Sequence, residues 1–354
     1  MDNASDSTIT FDENGNCNYC TKAFAEIGTT TYFPNEEGKL RLEKTIAMLK
    51  REGQGKEYDC AMGISGGLDS SYLAYLGYKW GLRIFAVHID DGYDTEISKK
   101  NIAKLVAATG LHLETIAPDA GQYNALTLAY MKAGVPDIAI PQDNILFAFL
   151  YKRMRELHIK YFLGGGNFAL ESILQRGNTY DALDVINIKD IHRHFGTEPI
   201  DKLHFVSSWQ KYWWQKTGKL DTTLRLLDFI DYNRDRAFVE LKEYCGFEYY
   251  GRKHLENILT AFIQLYWFPK KFGVDKRRSH LSSMIVSGQM SREDALRELD
   301  LPLYDEHQMA DYMAIIKERM GLNDAEFDDI IIAPPHRHNE FRTDWLSEIL
   351  HRIL

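Results

Sequence analysis

The densest chemistry in the chain lies in a run of consecutive residues, Ser65-Gly66-Gly67-Leu68-Asp69-Ser70-Ser71. Gly66 and Gly67 can take backbone angles closed to other residues, and they let the main chain approach a bound group closely. Where such a run turns a strand into a helix, several backbone N–H groups point into one concavity at a helix N-terminus. That arrangement suits a multiply charged anion such as pyrophosphate. Ser65, Ser70 and Ser71 add hydroxyl donors, and Asp69 can hold the Mg2+ that accompanies a polyphosphate. The run is not of the Walker type, because no G-x-x-x-x-G-K-[ST] follows a strand here. The alternative is a glycine-rich turn with no ligand.

The elements that must position this run are a short buried strand, Cys60–Ile64, and a helix starting near Ser70. Further strands are expected at Arg83–Ile89, His112–Ile116 and Lys160–Leu163. Helices are expected over Glu96–Thr109, around Tyr123–Ala133 and over Asp143–Leu157. Near-continuous apolar strands alternating with helices predict an α/β fold, a parallel sheet covered on both faces. Ligands of such sheets bind beyond the carboxyl ends of the strands, where the Ser65–Ser71 run falls. His88, Asp90 and Asp91 end the second strand and share that edge; a role near a nucleotide and ordinary loop polarity are equal readings. The last strand runs into Gly164-Gly165-Gly166-Asn167, with Glu171 close behind. A second glycine-rich strand end in one sheet favours ligand contact there, with Asn167 and Glu171 at the rim.

The chain divides into an N-terminal appendage over 1–55, an α/β core over 56–175 and a mainly helical portion over 176–354. The appendage carries Cys17-Asn-Tyr-Cys20, half of a tetrahedral zinc site that needs two more ligands, and no second C-x-x-C follows. An exposed pair without metal is the competing reading. The Trp209, Tyr212, Trp213 and Trp214 cluster reads as core or as an oligomer surface. Lys270, Lys271, Lys276, Arg277 and Arg278 form a basic stretch wedged between an apolar helix, Ile258–Trp267, and Leu281–Val286. In an acidic protein a cluster so placed is an anion clamp for phosphates. Ser291 and Asn323 read as helix caps, and His336 and His338 as loop residues.

Bulk properties narrow the class. The chain has 354 residues, a formal net charge of −9, 45% hydrophobic and 26% charged residues. Those are the proportions of a soluble globular protein with a substantial core. The acidic balance argues against a broad nucleic-acid surface. No apolar run is long enough to span a membrane, and the start resembles no signal peptide. Its 4 cysteines are too few for a disulfide scaffold, so a reducing, cytoplasmic setting is expected.

SGGLDSS resembles the pyrophosphate loop of the ATP-pyrophosphatase (PP-loop) superfamily, whose members split ATP into AMP and pyrophosphate. FDENGNCNYC, GGGNFALES, YYGRKH and FPKKFGVDKRRSHLSSMIVSGQMSREDAL extend the resemblance, from about Phe11 to Leu299, to the N-acetyl sugar amidotransferases, the WbpG/PseA-like family of bacterial surface-polysaccharide and nonulosonic-acid pathways. The resemblance implies a doubly wound, Rossmann-like fold of the HUP (adenine nucleotide alpha hydrolase-like) type. It also implies ATP with Mg2+, an acetamido sugar as acceptor and an acetamidino product. Ser65, Gly66, Gly67, Ser70 and Ser71 would hold pyrophosphate, with His88, Gly165 and Asn167 around the nucleotide and Asp69 on the metal. Lys253, Lys276 and Arg277 would act on the phosphates, and Asn167, Glu171, His254 and Arg278 on the sugar. The resemblance implies an earlier C-x-x-C ahead of a segment like Met1–Phe11, giving a four-cysteine zinc knuckle, so either this sequence starts inside that pattern or this member has lost the site. No cysteine lies in a glutaminase context, so a separate HisH/HisF-like glutaminase would supply ammonia. Rival readings are a sulfur transferase acting on tRNA and a nucleotide-binding module without catalysis. The acidic charge and poorly placed cysteines speak against the first.

Overall fold

The computed structural model describes residues 1–3, 6–175, 177–251 and 255–345. Five strands form one sheet: β1 (Cys60–Gly63), β2 (Ile84–Ile89), β3 (His112–Ile116), β4 (Phe162–Leu163) and β5 (Thr223–Leu224), in the order β3-β2-β1-β4-β5. Every neighbouring pair is parallel. The order reverses between β1 and β4, which opens a crevice at the carboxyl ends of those two strands. This is the doubly wound, Rossmann-like sheet that the sequence predicts. β5, two residues long, lies in the 176–354 portion and carries no apolar run that could have announced it.

Both faces are buried, as the apolar strands require. Cys60, Met62, Ile84 and Ala86 pack in one apolar cluster with Leu73 of the Leu68–Lys79 helix, Leu105 of the Glu96–Thr109 helix and Leu49 of the Glu36–Glu52 helix. Ala61, Phe85 and Val87, one residue out of phase, pack instead with Leu150, Tyr151 and Met154 of the Ile140–Glu156 helix. Successive side chains of a strand point to opposite faces, so one short sequence feeds two cores. A third cluster joins Tyr123, Leu126 and Tyr130 of the Ala120–Ala133 helix to Phe262, Trp267, Ile316 and Phe327. It fastens residues from the C-terminal portion to the edge of the α/β sheet.

Helix boundaries move relative to expectation, and the helix expected from Asp143 already starts at Ile140. The helix after β1 begins at Leu68, so Asp69, Ser70 and Ser71 lie in its first turn. The apolar helix at Ile258 runs only to Phe262 and continues as wider π-type turns from Ile263 to Phe272. Pro269 sits inside that stretch; it lacks an N–H and crowds the preceding turn, which an ordinary α-helix does not tolerate. The turns end at Gly273, φ +65°, and the next helix starts at Arg277. The caps at Ser291 and Asn323 form as expected, Asn323 with Glu326 as a reciprocal capping box.

Candidate functional site

A cavity of about 500 Å3 opens at the strand-order reversal. Its floor is the end of β1 and β2, with Gly63, Ser65 and His88, and Ser70 comes from the first turn of the Leu68–Lys79 helix. Its far wall comes from the C-terminal portion, with Glu256, Asn257, Lys276 and His280.

The loop after β1 is held by its own side chains. Gly66 stands at φ +75°, and a Cβ there would lie 2.4 Å from Ser98 Oγ, so glycine is required both by conformation and by space. Gly67 N–H donates to Ser65 Oγ at 3.2 Å, and Leu68 N–H donates to the Tyr250 hydroxyl at 2.8 Å. Ser98 Oγ donates to the Ser65 carbonyl at 2.9 Å, pinning the loop to the neighbouring helix. Gly165, at the end of β4, faces the start of the helix: a Cβ there would come 3.4 Å from the Ser70 Cα. The two glycine-rich strand ends thus meet each other across the crevice.

Of the residues singled out from sequence, Ser65, Ser70, His88, Glu171 and Lys276 line the cavity together. His88 is buried; Nδ1 contacts the Ile64 carbonyl and Nε2 contacts Asp94 Oδ2, each at 2.8 Å. Burial alone would lower its pKa, but the Asp94 carboxylate outweighs that and the imidazole is raised above its ordinary value. Asp91 is wholly consumed structurally, accepting from Tyr93 N–H, Tyr123 hydroxyl, Gln142 and Asn257. Asn167 is buried and caps the short Phe168–Glu171 helix by accepting from Leu170 N–H. Asp69 accepts a hydrogen bond from the buried Tyr232 hydroxyl, and Ser71 is fully buried with its Oγ unpartnered among the described residues.

The basic stretch separates. Lys271 donates to the carbonyls of Ile330 and Ala333, each at 2.7 Å, closing the end of another helix. Arg277 pairs with Asp275 at 2.8 Å and donates to the Glu298 and Leu301 carbonyls. Arg278 pairs with Asp2 at 3.0 Å. Only Lys276 of this group reaches the large cavity, where it is 9% exposed and has no hydrogen bond or ion pair among the described residues. Lys253 and His254 lie outside the described residues.

Glu256, Asp137 and Asp143 are cavity residues that sequence reasoning passed over. Glu256 sits against the loop: Ser65 Oγ donates to its Oε1 at 3.2 Å, while its Oε2 is buried without a partner among the described residues. Its place is set by backbone pairing, Thr95 N–H to the Glu256 carbonyl and Ile258 N–H to the Tyr93 carbonyl. Burial pushes Asp137 up to about 6 and Asp143 up to about 7, with Asp137 adding like-charge repulsion to the latter. Asp143 is solvent-accessible at the cavity, with protein packed closely around it.

Cys17 and Cys20 stand with their sulfurs 3.3 Å apart, and burial raises the Cys20 thiol to about 11. Among the described residues no group of three or more His, Cys, Asp or Glu gathers to hold a metal ion. Two cysteines supply only half of a tetrahedral zinc site, and the expectation of zinc is not supported.

Comparison with known proteins sets these observations in context. No curated protein matches the chain. Among solved structures, the chain is similar to an NMN synthetase from Francisella tularensis, at 14% identity and TM-score 0.39 over 81% of this chain and 97% of that one. It is also similar to an NH3-dependent NAD synthetase from Campylobacter jejuni, at 14% identity and TM-score 0.34 over 80% and 93%. Residues 256–352 match the family model described as the C-terminal domain of the LPS biosynthesis protein WbpG-like. That span opens on Glu256 and contains Lys276 and His280, so the far wall of the cavity falls within the residues that this family model matches.

Proposed function

We propose that the protein is a PP-loop enzyme that uses ATP to convert the N-acetyl group of a sugar into an acetamidino group, releasing AMP and pyrophosphate. The observation that carries this reading is Lys276. Its ammonium is nine-tenths buried with no hydrogen bond or ion pair among the described residues, at the residue preceding the Arg277–Val286 helix, where the helix dipole also disfavours a cation. The Asp137 and Glu171 carboxylates act on it without a direct contact, and a phosphate group bridging Lys276 and the Ser65–Ser70 loop would give it a direct partner. The WbpG-like C-terminal domain, described for LPS biosynthesis, supports a sugar acceptor.

In this reading the chain works by positioning and by charge neutralisation. The loop amides and the Ser65 and Ser70 hydroxyls hold the pyrophosphate portion of ATP, and Lys276 draws negative charge away from the leaving group. Glu256 would hold a Mg2+ ion at the loop, because its Oε2 is a buried carboxylate oxygen without a hydrogen-bond partner among the described residues; Asp69, bonded by Tyr232, does not line the cavity. Bound at Glu256, the metal would neutralise phosphate charge. The acetamido oxygen attacks the α-phosphorus, pyrophosphate leaves, and ammonia then displaces AMP from the activated carbon. A separate glutaminase supplies ammonia, and the reaction takes place in the cytoplasm; among the described residues no helix is long and apolar enough to cross a membrane.

The test is mass spectrometry of a reaction with ATP, Mg2+, high ammonium and a panel of acetamido sugars. An acceptor lighter by about one mass unit, from O replaced by NH, with AMP formed in step, supports the reading. AMP formed with every sugar unchanged points to a different acceptor, and no AMP points to a nucleotide-binding module.

A further inference from the structure

The cavity holds several carboxylates, and their hydrogen bonds sort them. Asp94 is engaged by His88, and Glu256 by Ser65. Glu171 accepts from Asn167 N–H, and Asp137 from the amides of Tyr180 and Ala139. Asp143 lines the same cavity, and its carboxylate accepts no hydrogen bond among the described residues.

Its placement is fixed. Asp143 lies in the first turn of the Ile140–Glu156 helix, and Gln142 beside it donates to Asp91 at 2.6 Å, anchoring that turn to the end of β2. Leu146, one turn on and on the same side of the helix, comes within 3.9 Å of a Cβ built on Gly63, the last residue of β1. Asp143 is therefore carried one turn beyond the strand end, towards the space in front of the Ser65–Ser70 loop. Lys276, buried and unpaired in the same cavity, marks the position for the anionic leaving group.

We propose that Asp143, with Asp137 behind it, is the general base that takes a proton from ammonium and so delivers neutral ammonia to the activated acetamido carbon. This rests on the amidotransferase reading above. Ammonium gives one proton to the Asp143 carboxylate. The freed ammonia forms the new C–N bond, the C–O bond to AMP breaks, and AMP leaves with that electron pair. The proton left on the adduct stays on the amidinium product, and Asp143 returns its own proton to water. A base of this kind works best when its acidity lies near the operating pH. The groups that face Asp143 across the cavity are Asp137, Glu171, Glu256 and Lys276, with the His88–Asp94 pair and His280 farther round the wall. Asp137 favours the protonated form of Asp143, while Lys276 favours the ionised form of Asp137.

The experiment compares Asp143→Asn with wild type in the amination of an acetamido sugar, using ammonium and then hydroxylamine, across about pH 6 to 9. Hydroxylamine is largely unprotonated at neutral pH and needs no base to free it. The expected result is a loss of roughly 100-fold or more with ammonium near neutrality, partly recovered at alkaline pH, and a defect at least about ten times smaller with hydroxylamine. Equal losses with both nucleophiles, or a variant within about twofold of wild type, would overturn the assignment. If the variant does not fold, the wild-type profile at constant free ammonia decides: a limb near neutrality supports the base, and a flat profile removes it. Absence of AMP formation by wild type with every acetamido sugar removes the amidotransferase reading and this inference together. Normal wild-type amination with an unaffected variant removes this inference alone.

Discussion

Ser65 Oγ donates a hydrogen bond to Glu256 Oε1 at 3.2 Å, joining residues 191 positions apart in sequence. One lies in the loop after β1 and the other is the first residue of the C-terminal span that matches the WbpG-like family model. A Cβ on Gly67 would lie 2.5 Å from the same Glu256 oxygen, so the carboxylate is seated directly on the loop. The loop and the C-terminal domain therefore build one site, and a negative group from the second stands where the first would receive phosphates.

A carboxylate in that position helps only if a cation shares it with the incoming phosphates. Glu256→Gln keeps the shape and the bond from Ser65 and removes the charge. The variant is expected to need more Mg2+ for half-maximal AMP formation and to lose roughly 10-fold or more in kcat/KM for ATP, the scale of a charged hydrogen bond. An unchanged Mg2+ requirement, measured by pyrophosphate release, would remove Glu256 from the metal site.

Gly66 should tolerate no side chain. Alanine there meets a left-handed backbone at φ +75° and contacts of 2.4 Å and 2.7 Å with Ser98. Thermal melts of Gly66→Ala are expected to show a loss of roughly 1–3 kcal/mol, together with loss of pyrophosphate release. Gly67→Ala, whose φ is ordinary, should lose activity with a smaller stability change, because the new methyl displaces Glu256 and Ser65 side-chain atoms rather than backbone.

Local chemistry explains what the sequence disclosed. Strand β3 and the Glu96–Thr109 helix fall at their expected residues, and for the helix the Thr95 cap and the terminal Gly110 are local signals. Gly66 announced its own positive φ, whereas Gly67 takes an ordinary one. The acid–base partners of the cavity gave no such signal. Asp143 sits in a helix as any exposed carboxylate would, and only folding brings it to the end of β1. Glu256 is placed by hydrogen bonds from Thr95 to its carbonyl and from nearby Ile258 N–H to the Tyr93 carbonyl, joining segments more than 150 residues apart. The basic stretch misled by composition: Lys271, Arg277 and Arg278 find carbonyls and carboxylates of neighbouring elements, and the chain alone does not reveal which cation is left over.

Asp137 and Asp143 should make stability depend on pH. Their ordinary value is 3.8, and in the fold they rise to about 6 and about 7. The native protein thus holds more protons than the unfolded chain across that interval, so the stabilisation is fully present near pH 4 and lost as pH rises through about 6 to 7. Melting temperature is expected to fall between about pH 5 and 8, with a flatter slope in Asp143→Asn. A slope that is equally steep in the variant would show that other groups, such as Asp91, carry the effect.

Arg277 acts as a tie between segments, by its geometry. Its guanidinium spends its donors on Asp275 and on the carbonyls of Glu298 and Leu301, all outside the large cavity. Arg277→Ala leaves those acceptors unpaired in a partly buried setting, at a cost of roughly 1–3 kcal/mol in chemical denaturation. The KM for ATP is expected to stay within about twofold of wild type below the melting range.

Lys276→Met separates a binding role from a folding role by opposite signs. Methionine has a similar reach and keeps the contact with Phe268, whose ring centroid lies 5.8 Å from Nζ. It abolishes a charge that is 9% exposed, sits at the wrong end of a helix and has no ion pair among the described residues. Burial already lowers the lysine pKa, which means the charged form costs folding energy. Removing it should raise stability by roughly 1 kcal/mol, a gain of about 2 °C in Tm. The same change should lower AMP formation roughly 100-fold, because a preorganised cation facing the phosphates is lost. Differential scanning calorimetry and pyrophosphate release on one preparation check both. A variant both less stable and still active would show that Lys276 serves the packing of its helix and not a bound phosphate.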